Sequence, residues 1–381
     1  MEKNKTLEVY SRFEICPTRA KGVYLYDDHH IKYLDLYGGH GVISIGHGHP
    51  HYIHTIKTQL QKISYYSNSV QMPLQELLAQ KLTKLSGYDD YRLFLVNSGA
   101  EANENALKLA SFHTGRTKVI SFTRGFHGRT AGALSVTDSP SIFAPINQHH
   151  FPVIRLPLNQ PAPLIAALKQ GDIAAVIIEG IQGIGGLDVP SDSFLKLLSK
   201  ETKAHGTLLI IDEIQSGYGR SGHFFAHQKS GIQPDIISIA KGMGNGFPIG
   251  GILTHPSIKS HLGMLGTTFG GNHLACAAAI SVLEVIETED LLARVYSISQ
   301  KIKFALSSIK GIKKMKGDGL MLGLEFDFPI KDLRRQLIHS HQIITGASSN
   351  PNLLRILPPL TIKLEEIQPF FKALEEILSH H

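Results

Sequence analysis

Along the middle of the chain, short unbroken apolar runs alternate with stretches whose apolar residues return every three or four positions. The unbroken runs are 93–96, 118–122, 174–178, 208–211 and 236–240, rich in Val, Ile and Leu and each closed by a polar or glycine-rich cluster. The three-to-four spacing predicts helices over 101–113 and 193–205. Strand and helix alternating in this way build an α/β domain around a largely parallel sheet. Ligands of such sheets sit beyond the carboxyl ends of the strands. Asn97, Glu179, Asp212 and Lys241 each stand at the end of one of these runs, so the pattern gathers four polar side chains on one rim.

The flanks differ. Residues 22–36 read as a hairpin turning near 28–30. From about 275 there is a long helical pattern, then a strand-like 321–326 and a final helix from about 364. The expected organisation is a large central domain, 46–270, and a smaller α+β domain assembled from both chain ends, 1–45 and 271–381. A length of 381 residues suits that division, at about 150 residues per domain. With 42% hydrophobic and 18% charged residues the chain is neither fibrous nor disordered in composition. Its longest apolar stretches, such as 173–178, fall far short of the roughly 18 residues of a membrane span. The first residues, MEKNKTLEVYSRFE, carry charge throughout and no apolar segment, which predicts a cytoplasmic address. The pair His380–His381 is expected to be a tail.

Two cysteines, Cys16 and Cys276, cannot make a disulfide framework or a cysteine zinc site. The net charge of +6 (38 basic minus 32 acidic) comes from scattered residues, which argues against nucleic acid as a partner. His47, His49 and His51 alternate as if along a strand face, but no carboxylate cluster joins them and no metal is expected. The hexapeptide Gly217-Tyr-Gly-Arg-Ser-Gly222 fits a dinucleotide fingerprint by letter. It follows the strand end too late and opens no amphipathic helix, which weighs against an NAD-dependent dehydrogenase.

Three other features carry more chemistry. In NSGAEANE, 97–104, Ser98 and Glu101 form a capping-box pair at a predicted helix start. The free N–H groups of Gly99 and Ala100 there would attract a phosphate, and no Walker sequence claims it for a nucleoside triphosphate. Asp212 ends a wholly apolar strand, where an unpaired carboxylate is costly. Lys241 ends another among glycines, an unusual structural use of lysine. Burial would lower its pKa and make it a nucleophile toward a carbonyl. A lysine to bond an aldehyde, an aspartate to keep a pyridine nitrogen protonated and a helix terminus to anchor a phosphate together specify pyridoxal 5′-phosphate.

The motifs YGGHGVISIGHGHP, NSGAEANENALKLA, GFHGRT, IEGIQGIGG, IIDEIQSGYGR, AKGMGNGFPIGG, GTTFGGNHLAC, GLMLGLEF and LLRILPPL run almost end to end. In that order they resemble the class III, fold-type I aminotransferases, the acetylornithine aminotransferases of arginine biosynthesis most closely. The resemblance implies Lys241 for the covalent bond to the coenzyme, Asp212 for the pyridine nitrogen, Gln215 for the ring hydroxyl and Phe126 for stacking on the ring. It implies Gly99 and Ala100 for the phosphate, with Ser98 and Glu179 completing the cofactor shell. Thr268 would reach the phosphate of the other subunit, so a homodimer with shared sites is implied. Arg129, Thr267 and Arg355 are the implied substrate contacts, Arg129 for the distal carboxylate and Arg355 for the proximal carboxylate of glutamate. The activity implied is transfer of the terminal amino group of N2-acetylornithine to 2-oxoglutarate. The alternative is another ω-aminotransferase, acting on ornithine or 4-aminobutyrate.

Two positions depart from the family pattern. Ile184 stands where a glutamate usually pairs with the proximal arginine, and Ala100 replaces a common threonine. The first leads to the expectation that another acid or solvent pairs with Arg355, and it leaves succinylornithine open as the donor beside acetylornithine.

Overall fold

Unbroken runs of Ile, Val and Leu form strands that are apolar on both faces and must be covered on both. The structure, a computed structural model, describes residues 5–147 and 150–379; the expected tail at His380–His381 lies outside them. Three strands near the N-terminus, β1 (Pro17–Lys21), β2 (Tyr24–Asp27) and β3 (Lys32–Asp35), form the expected hairpin meander. Seven follow: β4 (Arg92–Val96), β5 (Lys118–Phe122), β6 (Val153–Leu156), β7 (Ile173–Glu179), β8 (Leu208–Asp212), β9 (Ile236–Ile239) and β10 (Gly250–Thr254). The C-terminal part adds β11 (Lys314–Asp318), β12 (Met321–Glu325), β13 (Ile343–Ile344), β14 (Gly346–Ala347) and β15 (Leu353–Ile356).

The central sheet has the order β4-β10-β9-β8-β7-β5-β6. Its pairings are parallel except those of β10, which runs antiparallel to both β4 and β9. This strand is absent from the sequence pattern because it begins Gly250-Gly251. The glycines are required by position. A Cβ on Gly250 would stand 2.7 Å from the Ser98 carbonyl oxygen, so only glycine lets the turn after β4 lie across the strand. Register keeps the strand ends level, with Glu179 opposite Asp212 and Asp212 opposite Ser238.

β7 is buried throughout, and its side chains alternate between two cores. Ala175 and Ile177 pack with Ala102, Ala106 and Ala110 of the helix Gly99–Thr114. Val176 and Ile178 pack with Phe194, Leu195 and Leu198 of the helix Asp192–Ala204. Each large side chain so buried contributes about 1.5–3 kcal/mol, which fixes the sheet rigidly beneath the rim.

The long helical pattern from about 275 is two helices, His273–Thr288 and Leu291–Ser307, broken at Asp290, which adopts a left-handed φ of 47°. The two chain ends meet in one sheet, where β3 pairs in parallel with β13. A second small sheet, β11-β12-β15-β14, carries Arg355 on β15. No helix among the described residues is long and apolar enough to cross a membrane.

Candidate active site

Beyond the carboxyl ends of β4, β7, β8 and β9 lies a cavity of about 420 Å³. Its walls include Asn97, Glu179, Asp212 and Lys241, the four rim residues of the sequence pattern, together with Ser98, Gly99, Ala100, Phe126, Arg129, Ile184 and Gln215. Ser98 caps the helix Gly99–Thr114 by accepting from the Glu101 amide at 3.2 Å. The Glu101 carboxylate reaches back one residue further than a standard capping box, to the Asn97 amide at 2.7 Å. The first-turn N–H groups of Gly99 and Ala100 have no intrahelical acceptor and carry the positive end of the helix dipole. Gly128 closes this corner tightly, at φ 139°, where an added Cβ would stand 2.8 Å from the Ala100 Cβ.

Asp212 is buried with three donors around it. Its Oδ2 accepts from Asn103 Nδ2 and His127 Nδ1, both at 2.8 Å, and its Oδ1 accepts from the Ile214 amide at 3.0 Å. Burial pulls the His127 pKa down, but the hydrogen bond and charge of Asp212, with Glu179 adding, raise it above its ordinary 6.5 overall. Glu179 is pushed up to about 7, first by burial and then by Asp212, against the pull of His127 and of the Phe126 and Gly183 amides that it accepts at 2.9 and 2.8 Å. Those two bonds tie the loop bearing Phe126 to the loop after β7.

Lys241 follows β9 with φ 45°, a left-handed conformation that costs a non-glycine residue about 1 kcal/mol or more and clusters at functional sites. Burial lowers its pKa most; Arg355 pushes the same way, against Asp212 and Glu179. The result favours a neutral amine at the cavity wall. A nucleophilic amine, a firmly hydrogen-bonded carboxylate on the neighbouring strand end and a helix N-terminus face one space. That donor set fits pyridoxal 5′-phosphate.

The remaining expected residues are distributed. Arg129 lines the cavity and is exposed. Thr267 does not line it; its Oγ1 accepts from the Gly270 amide at 3.1 Å and from Asn97 Nδ2 at 3.5 Å. Thr268 is exposed and also outside the cavity. Arg355 lies behind the wall, 3% exposed. Among the described residues no acid is hydrogen-bonded to it, and Glu179 acts on it only through its charge; its hydrogen-bond partners are neutral oxygens. Nε donates to the Ala347 carbonyl at 2.5 Å, Nη1 to the Gly183 carbonyl at 3.0 Å and to Gln215 Oε1 at 3.4 Å, and Nη2 to the Tyr37 hydroxyl at 3.0 Å. Gln215 Nε2 donates to the His40 carbonyl at 2.9 Å.

Asn103, Tyr37 and His40 were not singled out from the sequence. Asn103 had a signal: it sits on the same helix face as Ala106 and Ala110, and a polar residue on an apolar stripe needs a buried partner. Tyr37 and His40 had none. The histidines at 47, 49 and 51 do not line one strand face; they reach three separate acids, Asp35, Glu289 and Glu284. The 217–222 glycine turn packs Tyr218 and Arg220 into the interior, Arg220 donating to the Pro358 carbonyl.

Comparison with known proteins agrees with this geometry. The family description Aminotransferase class-III matches residues 7–378. The acetylornithine aminotransferase of Bacillus subtilis (strain 168) is 40% identical over 98% of this chain and 97% of its own. That of Aquifex aeolicus (strain VF5) is 39% identical over 97% and 98%. Among solved structures, the ornithine aminotransferase of Toxoplasma gondii ME49 superposes with a TM-score of 0.93 at 26% identity, covering 99% of this chain and 94% of that one. Another structure of the Toxoplasma gondii enzyme, TM-score 0.91 and 26% identity over 99% and 93% of the two chains, is described with PLP at its active site. Sequence over nearly the whole length and backbone over the whole fold thus agree that the chain belongs to the class III aminotransferases, pyridoxal-phosphate enzymes of fold type I.

Proposed function

We propose that this aminotransferase moves the terminal amino group of an N2-acylornithine, acetylornithine or its succinyl counterpart, to 2-oxoglutarate, giving the N-acylglutamate semialdehyde and glutamate in arginine biosynthesis. The observation that carries the reading is the convergence of Lys241 and Asp212 from adjacent strand ends on a cavity closed by the helix terminus at Gly99 and Ala100. The full-length likeness to proteins named acetylornithine aminotransferase supports the substrate.

Pyridoxal phosphate, when bound, supplies an aldehyde carbon for the amine and a cationic ring that withdraws electrons from the substrate carbon. Lys241 Nζ, whose burial favours the neutral amine, would hold that aldehyde. The free amine of Lys241 would also serve as the general base for the proton on the substrate carbon that bears the amine. Asp212, its orientation fixed by Asn103, His127 and the Ile214 amide, would hold the proton on the pyridine nitrogen. Gly99 and Ala100 would donate N–H groups to the phosphate, Ser98 and Glu179 shape the walls, Phe126 would cover the ring and Gln215 would serve its hydroxyl.

Arg129 takes the carboxylate far from the reacting carbon and Arg355 the one beside it, with Thr267 behind Asn97 as a supporting contact. Acylornithine has only the far carboxylate; glutamate has both. Two arginine forks at two depths therefore read both substrates. The exposed position of Thr268, beside an exposed Phe269 and outside its own chain's cavity, supports a homodimer in which each Thr268 serves the partner's site. A cytoplasmic address completes the reading.

The test is a donor panel with 2-oxoglutarate as acceptor: acetylornithine, succinylornithine, ornithine and 4-aminobutyrate. An acylornithine should exceed the last two in kcat/KM by about a hundredfold. Equal or better use of free ornithine or 4-aminobutyrate overturns the substrate, and a large preference for acetyl over succinyl removes the succinyl option.

A further inference from the structure

Arg355 is a buried cation whose guanidinium, among the described residues, donates its hydrogen bonds to neutral oxygens alone. Two of its neighbours form a chain. Arginine can only donate, so the Tyr37 hydroxyl oxygen accepts from Nη2 at 3.0 Å and its single hydrogen goes to His40 Nδ1, 2.5 Å away. His40 is thereby the neutral tautomer with its hydrogen on Nε2. Burial, Arg355 and Lys241 all hold its pKa below the usual 6.5, in agreement. Burial raises the Tyr37 pKa, so the phenol keeps its hydrogen.

The chain is rigid on one side and loose on the other. The Tyr37 ring lies against Gly346, where an added Cβ would come within 2.2 Å of the ring. It packs on the His40 ring with centroids 4.7 Å apart, and the guanidinium carbon stands 5.6 Å from the tyrosine centroid. His40 itself is held in a left-handed turn, φ 69°, between Gly39 and Gly41. On the cavity side, the one wall residue among those described that is hydrogen-bonded to Arg355 through its side chain is Gln215, by the longest of its contacts, 3.4 Å. A carboxylate forms stronger hydrogen bonds to a guanidinium than an amide oxygen does.

We propose that Tyr37 and His40 are positioning residues for the glutamate half-reaction. The neutral Tyr37–His40 pair fixes the Arg355 guanidinium from behind while an incoming carboxylate, that of glutamate or 2-oxoglutarate, displaces Gln215 from its front. Among the described residues no side-chain acid is hydrogen-bonded to the arginine: Glu179 acts on it only through its charge, and Ile184 stands in the cavity wall in place of an acid. Acylornithine, which has no carboxylate beside its reacting carbon, leaves the clasp closed. The proposal rests on the assignment of Arg355 to that carboxylate.

The two half-reactions share Lys241, Asp212 and the coenzyme, and only one uses Arg355, so measuring each separately by the coenzyme's absorbance isolates the chain. Tyr37→Phe should raise the half-saturating concentration of glutamate and of 2-oxoglutarate about tenfold. It should leave the acylornithine half-reaction within about twofold, since Arg355 is not engaged there. His40 supplies a second test should that variant fold poorly. His40→Asn keeps an acceptor where Nδ1 stands and suits positive φ, so it should behave like the wild type. His40→Gly also suits positive φ but has no acceptor, so it should shift the glutamate half-reaction selectively. Equal changes in both half-reactions, no change in either, or His40→Asn failing as badly as His40→Gly would overturn the proposal. Arg355→Lys is the control: a glutamate half-reaction indifferent to it would sink the assignment of Arg355 itself, a distinct result.

Discussion

Asp212 faces the cavity with a charge that His127 can cancel, so coenzyme retention should weaken in acid for a reason located in one imidazole. The His127 Nδ1 lies 2.8 Å from Asp212 Oδ2, and the raised His127 pKa means that it protonates as pH falls through a value above 6.5. While His127 is neutral, the pair carries one negative charge to face the cationic ring. As imidazolium it makes the pair neutral and adds a repulsive charge. At an effective dielectric near 20, charges about 7 Å apart interact by about 2 kcal/mol. That sets a ceiling of roughly thirtyfold on the loss of affinity. His127→Asn retains an N–H donor near the position of Nδ1 and does not titrate. Dissociation constants for pyridoxal phosphate, taken by equilibrium dialysis from about pH 8 to about pH 5.5, should diverge. The wild type should weaken relative to the variant by several-fold to thirtyfold. Lys241 titrates in both proteins and drops out of the ratio. Parallel pH curves would refute the reasoning.

Lys241→Ala should abolish turnover and the visible absorbance of the bound coenzyme; full activity in that variant would reject the lysine assignment. Asn103→Ala removes the bonds to Asp212 Oδ2 at 2.8 Å and to the His127 carbonyl at 2.7 Å from a fully buried place. It should cost about 2–4 kcal/mol in urea unfolding, and a loss under about 1 kcal/mol would show the network to be dispensable. Glu179 has its folded pKa raised from 4.5 to about 7, so between those values the folded protein keeps a proton that the unfolded chain has released. Its contribution to stability therefore falls as pH rises through that window, by on the order of 3 kcal/mol. Unfolding of the coenzyme-free protein should show this slope in the wild type and lose it in Glu179→Gln.

The rim was legible because period and termination are local properties. A run such as 174–178 has to be a strand covered on both sides, and the polar residue at its end has to emerge at the sheet's edge. Asp212 and Lys241 followed from that logic before any pairing was known. β10 was not legible, since its two leading glycines erase the β-rich signal; their reason is the Ser98 carbonyl resting on Gly250, a contact across about 150 residues. The break at Asp290 was missed likewise, because the apolar spacing continues through it while one residue turns left-handed.

The surroundings of Arg355 mark the limit more sharply. Ile184 in place of an acid was visible in the sequence, and an acid or solvent was the natural substitute to expect, because a buried cation left unpaired costs about 3–5 kcal/mol. The structure resolves this with dispersed dipoles instead of one charge: two carbonyls, an amide and a phenol drawn from Tyr37, Gly183, Gln215 and Ala347. Pattern reasoning finds a missing charge because charges are few. It cannot find a replacement made of backbone oxygens, which every residue carries, and of a tyrosine 318 positions away that could have served any core. Each acceptor of that set is weaker than a carboxylate, so the arginine keeps its capacity to bind an anion. A neutral set of this kind satisfies the guanidinium without cancelling its charge, and the charge is what a proximal carboxylate would meet.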